Sequence, residues 1–293
     1  MKVIETFAEC RSLAKGSIGL VPTLGYLHEG HLDLMSQARV GNDQVMASLF
    51  VNPLQFDEVA DFDAYPRQFD RDARLMEQAE VDILFAPSVE EMYPIEPVTR
   101  VVVGGLTESM EGAHRPGHFA GVATVVTKLL AGLQPDRAYF GKKDAQQLAM
   151  VMRLTVDLSL PVEIVPCSTV RESDGLALSS RNVQIPAGDR DQATRVSEGL
   201  FAAADLAASG ERDGQVLERA VSAHLIGIYV EYVALAERAT ARPLATLDRP
   251  AFLATAVRIG GIRLIDNVWL EPDGTSDRGT LLRSTSILYA GVN

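Results

Sequence analysis

The sequence predicts an α/β fold built on an open parallel sheet, followed by a small α+β domain, and three observations predict it. Through the first ~170 residues, short apolar runs rich in Val and Ile alternate with longer segments of helical period, as a parallel sheet with crossover helices requires. After Arg181 the texture changes to Ala-rich helices and then strands, the order of a separate α+β domain. A chain of 293 residues, 47% hydrophobic, has the material for two unequal cores. The change of texture lies near residues 170–185, and we take 1–175 and 176–293 as the two expected domains.

The predicted strands, in order, are SIGLVP (17–22), VMASLFV (45–51), VDILFAP (81–87), TRVVVG (99–104), RAYF (137–140) and VEIVP (162–166). Each is a short, largely apolar run of the kind a sheet covered on both faces uses. Among the helices between them, 119–133 sets Val122, Val125, Val126, Leu129, Leu130 and Leu133 at helical spacing, and 144–158 does so with Leu148, Met152, Thr155 and Val156. Further on, 187–208 and 214–225 are predicted helices, and 228–236, 252–259 and 262–270 predicted strands. From residue 271 the string EPDGTSDRGTLLRSTS is polar and turn-forming, and is predicted to be loose.

Composition removes several function classes. The balance of 27 Lys+Arg against 39 Asp+Glu (27 − 39 = −12) repels a phosphate backbone, which excludes nucleic acid as the main partner but not a local basic pocket for a small phosphate. Cys10 and Cys167 form neither a C-x-x-C pair nor a disulfide framework, which fits a reducing cytoplasm. Glu5 and Glu9 interrupt any signal-peptide core, and the longest apolar stretches meet a charge before the roughly 18 residues a membrane span needs. There is no G-x-x-x-x-G-K-[ST], no G-x-G-x-x-G after a strand and no G-x-S-x-G, which disfavours a P-loop enzyme, a dinucleotide dehydrogenase and a serine hydrolase.

What remains is phosphate handling by His and Lys. In VPTLGYLHEGH (21–31) a strand runs through a Pro/Gly turn into a helix beginning near His28. A strand's carboxyl end is where open α/β sheets bind ligands, and a helix N-terminus there presents free N–H groups to an anion. His28 and His31, three apart, share one helix face with Gly30 keeping bulk from between them, an arrangement suited to a phosphate or a phosphoryl transition state. Zinc is the weaker reading, since H-E-x-x-H spaces its histidines by four. FGKKDAQQL (140–148) repeats the strand, turn and helix with Lys142 and Lys143 at the turn. Here Asp144 and Gln147 equally suit a capping box on a plainly solvated helix start. RESDGLALSSRN (171–182) offers Ser179, Ser180 and Arg181 as phosphate donors, or as an ordinary polar turn. FVNPLQF (50–56) ends a strand with Asn52 and Gln55, amides suited to a hydroxyl or carboxylate ligand or to turn chemistry around Pro53.

These strings, together with YPRQFDRD (65–72), EGAHRPGHFAGV (111–122) and RLIDN (263–267), stand in an order that resembles the pantothenate synthetase (pantoate–β-alanine ligase) family over nearly the whole chain. The resemblance implies an H-x-G-H nucleotidylyl transferase with a Rossmann-like, doubly wound N-terminal domain for nucleotide and pantoate, a C-terminal α+β lid domain, and a cytoplasmic homodimer. It implies ATP as a substrate with Mg²⁺, no tightly bound organic cofactor, and pantoate and β-alanine as the other substrates. The reaction it implies passes through pantoyl adenylate to pantothenate, AMP and pyrophosphate. By the same resemblance His31 is the proton donor and His28 its partner on the phosphates, with Lys143 and Arg181 completing the catalytic set. Leu24, Gly25, His28, Gly30, His31, Gly141, Lys142, Lys143, Asp144, Val170, Leu178, Ser179, Ser180 and Arg181 match ATP-binding positions. Gln55, Gln147 and Asn52 match positions for pantoate, and Gln55 also for β-alanine.

Four residues depart from the family pattern. Leu24 stands where Met is usual, Tyr26 where a smaller residue is common, Arg71 where a second acid is frequent, and Lys142 where Glu is commoner. No metal ligand is assigned at Arg71. Gly112, Pro116 and Gly117 suggest that 111–119 is a mobile segment closing over the site, because an acyl adenylate left open to water hydrolyses. A transferase for a phosphorylated acceptor is the alternative enzyme and a nucleotide-sensing module the alternative outside enzymes. The neutral Gln55 and Gln147 disfavour the first, and the complete set of transition-state groups disfavours the second.

Overall fold

The computed structural model of the chain describes residues 1–56, 62–63 and 65–289. These fall into two compact units, one of Met1–Gly104, Arg115–Phe140 and Met150–Cys167, the other of Gly105–His114, Gly141–Ala149 and Ser168–Asn293. The division is discontinuous, whereas the sequence suggests a single boundary at 175/176.

The first unit is built on a six-stranded sheet: β1 (Lys2–Ile4), β2 (Ile18–Thr23), β3 (Gln44–Leu49), β4 (Ile83–Phe85), β5 (Arg137–Gly141) and β6 (Glu163–Cys167), in the order β1-β4-β3-β2-β5-β6. The pairs β1/β4, β4/β3, β3/β2 and β2/β5 are parallel. From β2 the chain adds β3 and β4 on one side and later β5 on the other, so the order reverses beside β2. That reversal opens a crevice at the carboxyl ends of β2 and β5, where α/β sheets receive ligands. Val21, Val45, Ala47 and Leu84 of the strands pack with Leu34, Met35 and Ala38 of the helix Glu29–Gly41, all essentially sealed from water. The helix His118–Leu133 buries Val122, Val125, Val126, Leu129, Leu130 and Leu133, the stripe its sequence predicts.

Two differences from the sequence reading have physical causes. Residues 99–104 form no strand: Val101 N donates to Thr124 Oγ1 at 3.0 Å instead of to a ladder, and Val102 is 70% exposed. A Val run favours extended backbone but cannot supply a neighbour. β1 and the helix Phe7–Leu13, begun by Thr6 accepting from Glu9 N, are too short to show a period and go unpredicted.

The second unit carries an antiparallel sheet in the order β11-β10-β9-β8, from β8 (Tyr229–Glu237), β9 (Ala251–Ile259), β10 (Ile262–Leu270) and β11 (Ser276–Asp277). β9 and β10 meet through Gly260–Gly261, both at positive φ, the two-residue hairpin turn whose twist matches that of the strands. The helices Arg190–Ala208 and Gly214–His224 set Leu200, Ala203, Ala204, Ala207, Leu217 and Val221 against Leu235, Leu253, Val257 and Val268 of the sheet. Small Ala side chains let these helices pack closely. The expectation of a loose tail fails for the described part: β11 pairs with β10, and β12 (Thr280–Leu281) runs parallel to β7 (Val170–Arg171).

Candidate functional site

In the first unit β2 ends at Thr23 and the chain turns through Leu24, Gly25 and Tyr26 into the helix Glu29–Gly41. Gly25 (φ 91°) and Tyr26 (φ 51°) are both left-handed, and a Cβ on Gly25 would lie 3.1 Å from Asp72 Oδ2. A left-handed Tyr costs about 1–2 kcal/mol. It is offset by Asp72, 1% exposed, whose Oδ2 accepts from Tyr26 N at 2.7 Å and Oδ1 from Leu27 N at 2.9 Å. Arg71 closes the same turn, donating to Leu27 O at 3.0 Å and Asp72 Oδ1 at 3.2 Å with its guanidinium 5.2 Å from the Tyr26 ring centre. The two departures, Tyr26 and Arg71, thus belong to one clamp.

Past the clamp, His28 is the N-cap. Its Nδ1 accepts from Gly30 N at 3.1 Å, while His28 N donates to His31 Nδ1 at 3.3 Å. Each ring caps the other's backbone, the Ser/Glu capping box rebuilt from two imidazoles. Both Nδ1 atoms therefore act as acceptors, which fixes each neutral ring as the Nε2–H tautomer. The ring centres are 4.1 Å apart. A pair of imidazoles at a helix N-terminus suits a group of several anionic oxygens.

Asn52 and Gln55 form a second element of this unit. Asn52 caps the 3₁₀ turn Pro53–Gln55, with Oδ1 accepting from Leu54 N and Tyr93 OH and Nδ2 donating to Gln55 Oε1 (3.1 Å) and Gly121 O (3.2 Å). Asn52 is fully buried with its hydrogen-bonding capacity filled, and it orients Gln55. Because the Gln55 oxygen accepts from Asn52, its amide nitrogen is left as the donor. His118 Nδ1 lies 2.7 Å from Gln55 O, and a Cβ on Gly121 would come within 2.0 Å of Leu54 O, so this turn seats directly on the helix His118–Leu133.

In the second unit, Lys142–Asp144 is a 3₁₀ turn feeding the helix Ala145–Asp157, so Asp144 lies within the turn rather than ahead of it. Asn267 Nδ2 donates to Lys142 O at 3.0 Å and Lys143 O at 2.6 Å. The Lys142 ammonium is committed to Asp277 Oδ2 at 2.7 Å and lies 4.9 Å from the Trp269 ring centre. Lys143 makes no such ion pair with any described residue. Gln147 is half-buried; its neighbour Gln146, buried, donates to Leu106 O and Ser109 O and accepts from Glu111 N. Leu178 is buried and Val170 lies on β7. The turn Ser180–Gln184 starts at Ser179, whose Oγ accepts from Arg181 N at 3.2 Å. Asn182, next in line, donates to Glu172 Oε1 and Ala177 O.

The RLIDN string explains much of this order, and its individual roles went unread in the sequence. Arg263 forks onto both oxygens of buried Glu111 at 2.7 Å, Asp266 pairs with Arg171 (0% exposed) at 2.6 and 3.0 Å, and Asn267 holds the lysine turn. Polar residues inside an otherwise apolar strand were the available signal. Glu111 also accepts from Tyr232 OH at 2.7 Å, so the start of the segment expected to be mobile is fastened by a buried ionic pair. Among the described residues no cluster of three or more His, Cys, Asp or Glu converges as a metal site.

The pantoate–β-alanine ligase family model matches residues 2–269. A pantothenate synthetase of Roseiflexus sp. (strain RS-1) is 49% identical over 277 residues, 92% of this chain and 100% of the relative. Another, of Moorella thermoacetica, is 48% identical over 280 residues, 92% and 99%. Among solved structures, pantothenate synthetase from Thermus thermophilus matches with a TM-score of 0.88 at 47% identity, over 93% of this chain and 99% of that one. Pantoate-β-alanine ligase from Francisella tularensis, complexed with beta-gamma ATP and beta-alanine, matches with a TM-score of 0.75 at 32% identity, over 91% and 97%. Agreement of this extent, covering both the parallel and the antiparallel sheet, means that the chain belongs to the pantoate–β-alanine ligase family, enzymes that join pantoate to β-alanine as pantothenate.

Proposed function

We propose that this ligase works through two ATP-driven half-reactions. In the first, a pantoate carboxylate oxygen attacks the α-phosphorus of ATP, the bond from that phosphorus to its bridging oxygen breaks, and pyrophosphate leaves. In the second, the β-alanine amine attacks the acyl carbon of pantoyl adenylate, the acyl C–O bond breaks, the nitrogen gives up a proton, and AMP leaves. The observation that carries this reading is the reciprocally capped His28–His31 pair at the carboxyl end of β2, where two imidazoles stand 4.1 Å apart at a helix N-terminus.

Phosphoryl transfer needs positioning and charge neutralisation more than covalent help. His28 and His31 take the phosphate oxygens, with His31 supplying a proton as charge builds on the leaving group. Lys143, Ser179, Ser180 and Arg181 neutralise the triphosphate, while Leu24, Gly25, Gly30, Gly141, Asp144, Val170 and Leu178 line the nucleotide. Gln55 and Gln147 hold pantoate, whose carboxylate and two hydroxyls match amide donors and acceptors, and Gln55 also meets β-alanine. Asn52, His118 and Tyr93 support Gln55 from behind. Mg²⁺ bound to the triphosphate would neutralise part of its charge. The Francisella ligase complexed with beta-gamma ATP and beta-alanine supports both ligands for this chain.

A cytoplasmic homodimer, with the α+β part acting as a lid, completes the reading. Cys10 and Cys167 form no disulfide with each other, and among the described residues no helix is long and apolar enough to cross a membrane. Exposed Ile95, Val98 and Val102 give the first unit an apolar strip for a second copy, including the Val run that finds no partner strand among the described residues. The test is labelled pyrophosphate exchange into ATP. Exchange that requires pantoate, is lost in His31→Ala and is followed by pantothenate when β-alanine is added supports the reading. ATP binding without pantoate-dependent exchange overturns it.

A further inference from the structure

The chain beyond residue 269 lies outside the family model's match, and two relatives aligned over their whole length cover 92% of the 293-residue chain. Yet the described tail is built into the second unit at both ends. Near its start, Asp277 Oδ2 accepts from Lys142 Nζ at 2.7 Å and Ser168 Oγ at 2.7 Å, and Oδ1 accepts from Gly279 N at 2.9 Å. Asp277 is also in register with Trp269, whose ring lies under the Lys142 ammonium. Burial pushes this carboxyl up, but the bonds from Lys142, Ser168 and Gly279 outweigh it and hold it below the usual range, so it stays ionised beside the lysine.

The middle of the tail lays Thr280 and Leu281 against Val170 and Arg171. At its far end Tyr289 OH donates to Glu172 Oε1 at 2.9 Å and accepts from Arg190 Nη1 at 2.9 Å. Glu172 Oε1 is the same atom that Asn182 Nδ2 reaches at 2.9 Å, and Asn182 follows Arg181 directly. One end of the tail therefore holds the Lys142–Asp144 turn and the other the Ser179–Arg181 turn. Lys142, the residue that departs from the commoner Glu, is the one that meets the tail.

We propose that residues 271–289 are a positioning strap for the nucleotide: Asp277 and Tyr289 fix the two turns, and Lys142 anchors the strap instead of binding phosphate, which leaves that task to Lys143. This rests on the reading that both turns hold ATP. Asp277→Asn, Lys142→Met and Tyr289→Phe each remove one charge or hydroxyl without changing size greatly, and the swap Lys142→Glu with Asp277→Lys restores the pair with reversed sign.

The expected result is a KM for ATP raised about tenfold in Lys142→Met and Asp277→Asn, and about threefold in Tyr289→Phe, with kcat and the KM of pantoate within about twofold. The swap recovers most of the loss, because a phosphate ligand could not be replaced by a carboxylate whereas an anchor can. An unchanged KM for ATP in Asp277→Asn, or a swap as impaired as Lys142→Met, overturns the strap. Lys143→Ala and Arg181→Ala are the controls: if neither weakens ATP, the assignment of ATP to these turns fails, a result distinct from failure of the strap alone.

Discussion

His28 closes the first turn of its helix with the same ring that the proposed chemistry uses, and substitution separates the two tasks. Asn is a favoured N-cap, whereas Ala is a poor one that costs about 1 kcal/mol. His28→Asn is therefore expected to melt within a degree or two of the parent while pyrophosphate exchange falls about 10²-fold or more, and His28→Ala to lose both stability and rate. Equal melting of the two variants would mean that the Gly30 N bond to Nδ1 contributes nothing. The pairing of the two histidines at a helix start was legible from H-E-G-H after a strand. Their tautomer was not, because that depends on which backbone N–H each ring receives, a matter of the helix start and of the Asp72 clamp forty-odd residues away.

Among the elements, the 3₁₀ turn Pro53–Gln55 and the helix His118–Leu133 approach at Gly121 more closely than any side chain allows. Gly121→Ala is expected to cost about 1–3 kcal/mol as overpacking and to raise the KM for pantoate more than that for ATP, since the displaced turn carries Gln55. Urea unfolding and initial rates check it; a shift in ATP alone would detach Gln55 from pantoate. The strand β11 makes a prediction about acid. A carboxyl held below its ordinary value, as Asp277 is, contributes stability that is fully present above the unfolded value and is lost as pH falls through the folded one. The gap in melting temperature between the parent and Asp277→Asn should therefore be constant near neutrality and close on acidification below the ordinary carboxylate range. A gap that widened in acid would contradict the pairing. β2, β3 and β5 were legible because a strand covered on both faces is written as an apolar run. Residues 99–104 carried the same signature without a neighbour, and the tail's pairing with Lys142 spans 135 positions that no local pattern reports.

For the whole molecule, the chain passes between the two units five times, at residues 104/105, 114/115, 140/141, 149/150 and 167/168. A break at 175/176 would therefore leave 105–114, 141–149 and 168–175 without the strands and helices they pack with in the second unit, including Arg263 for Glu111 and Asn267 for the lysine turn. The fragment 1–175 is expected to lack a cooperative thermal transition by circular dichroism, the buried Glu111 carboxylate having lost its partner. A sharp transition in that fragment would show that the first part folds without them. Two domains of different texture were legible in composition. The interleaving was not, because short polar segments such as 105–114 take their allegiance from distant ion pairs.

The reciprocal imidazole cap also bears on transplantation. Because the spacing of His28 and His31 is set by the offset between N-cap and third helical position, the pair carries its own ruler and does not need the surrounding cleft to fix its separation. A host protein would have to supply only a parallel strand ending in a left-handed Gly turn, a helix after it, and one sequestered carboxylate to take the place of Asp72. Engineers seeking a compact grip for oligophosphates could move these few residues as a cassette, where most catalytic pairs would have to be rebuilt one rotamer at a time.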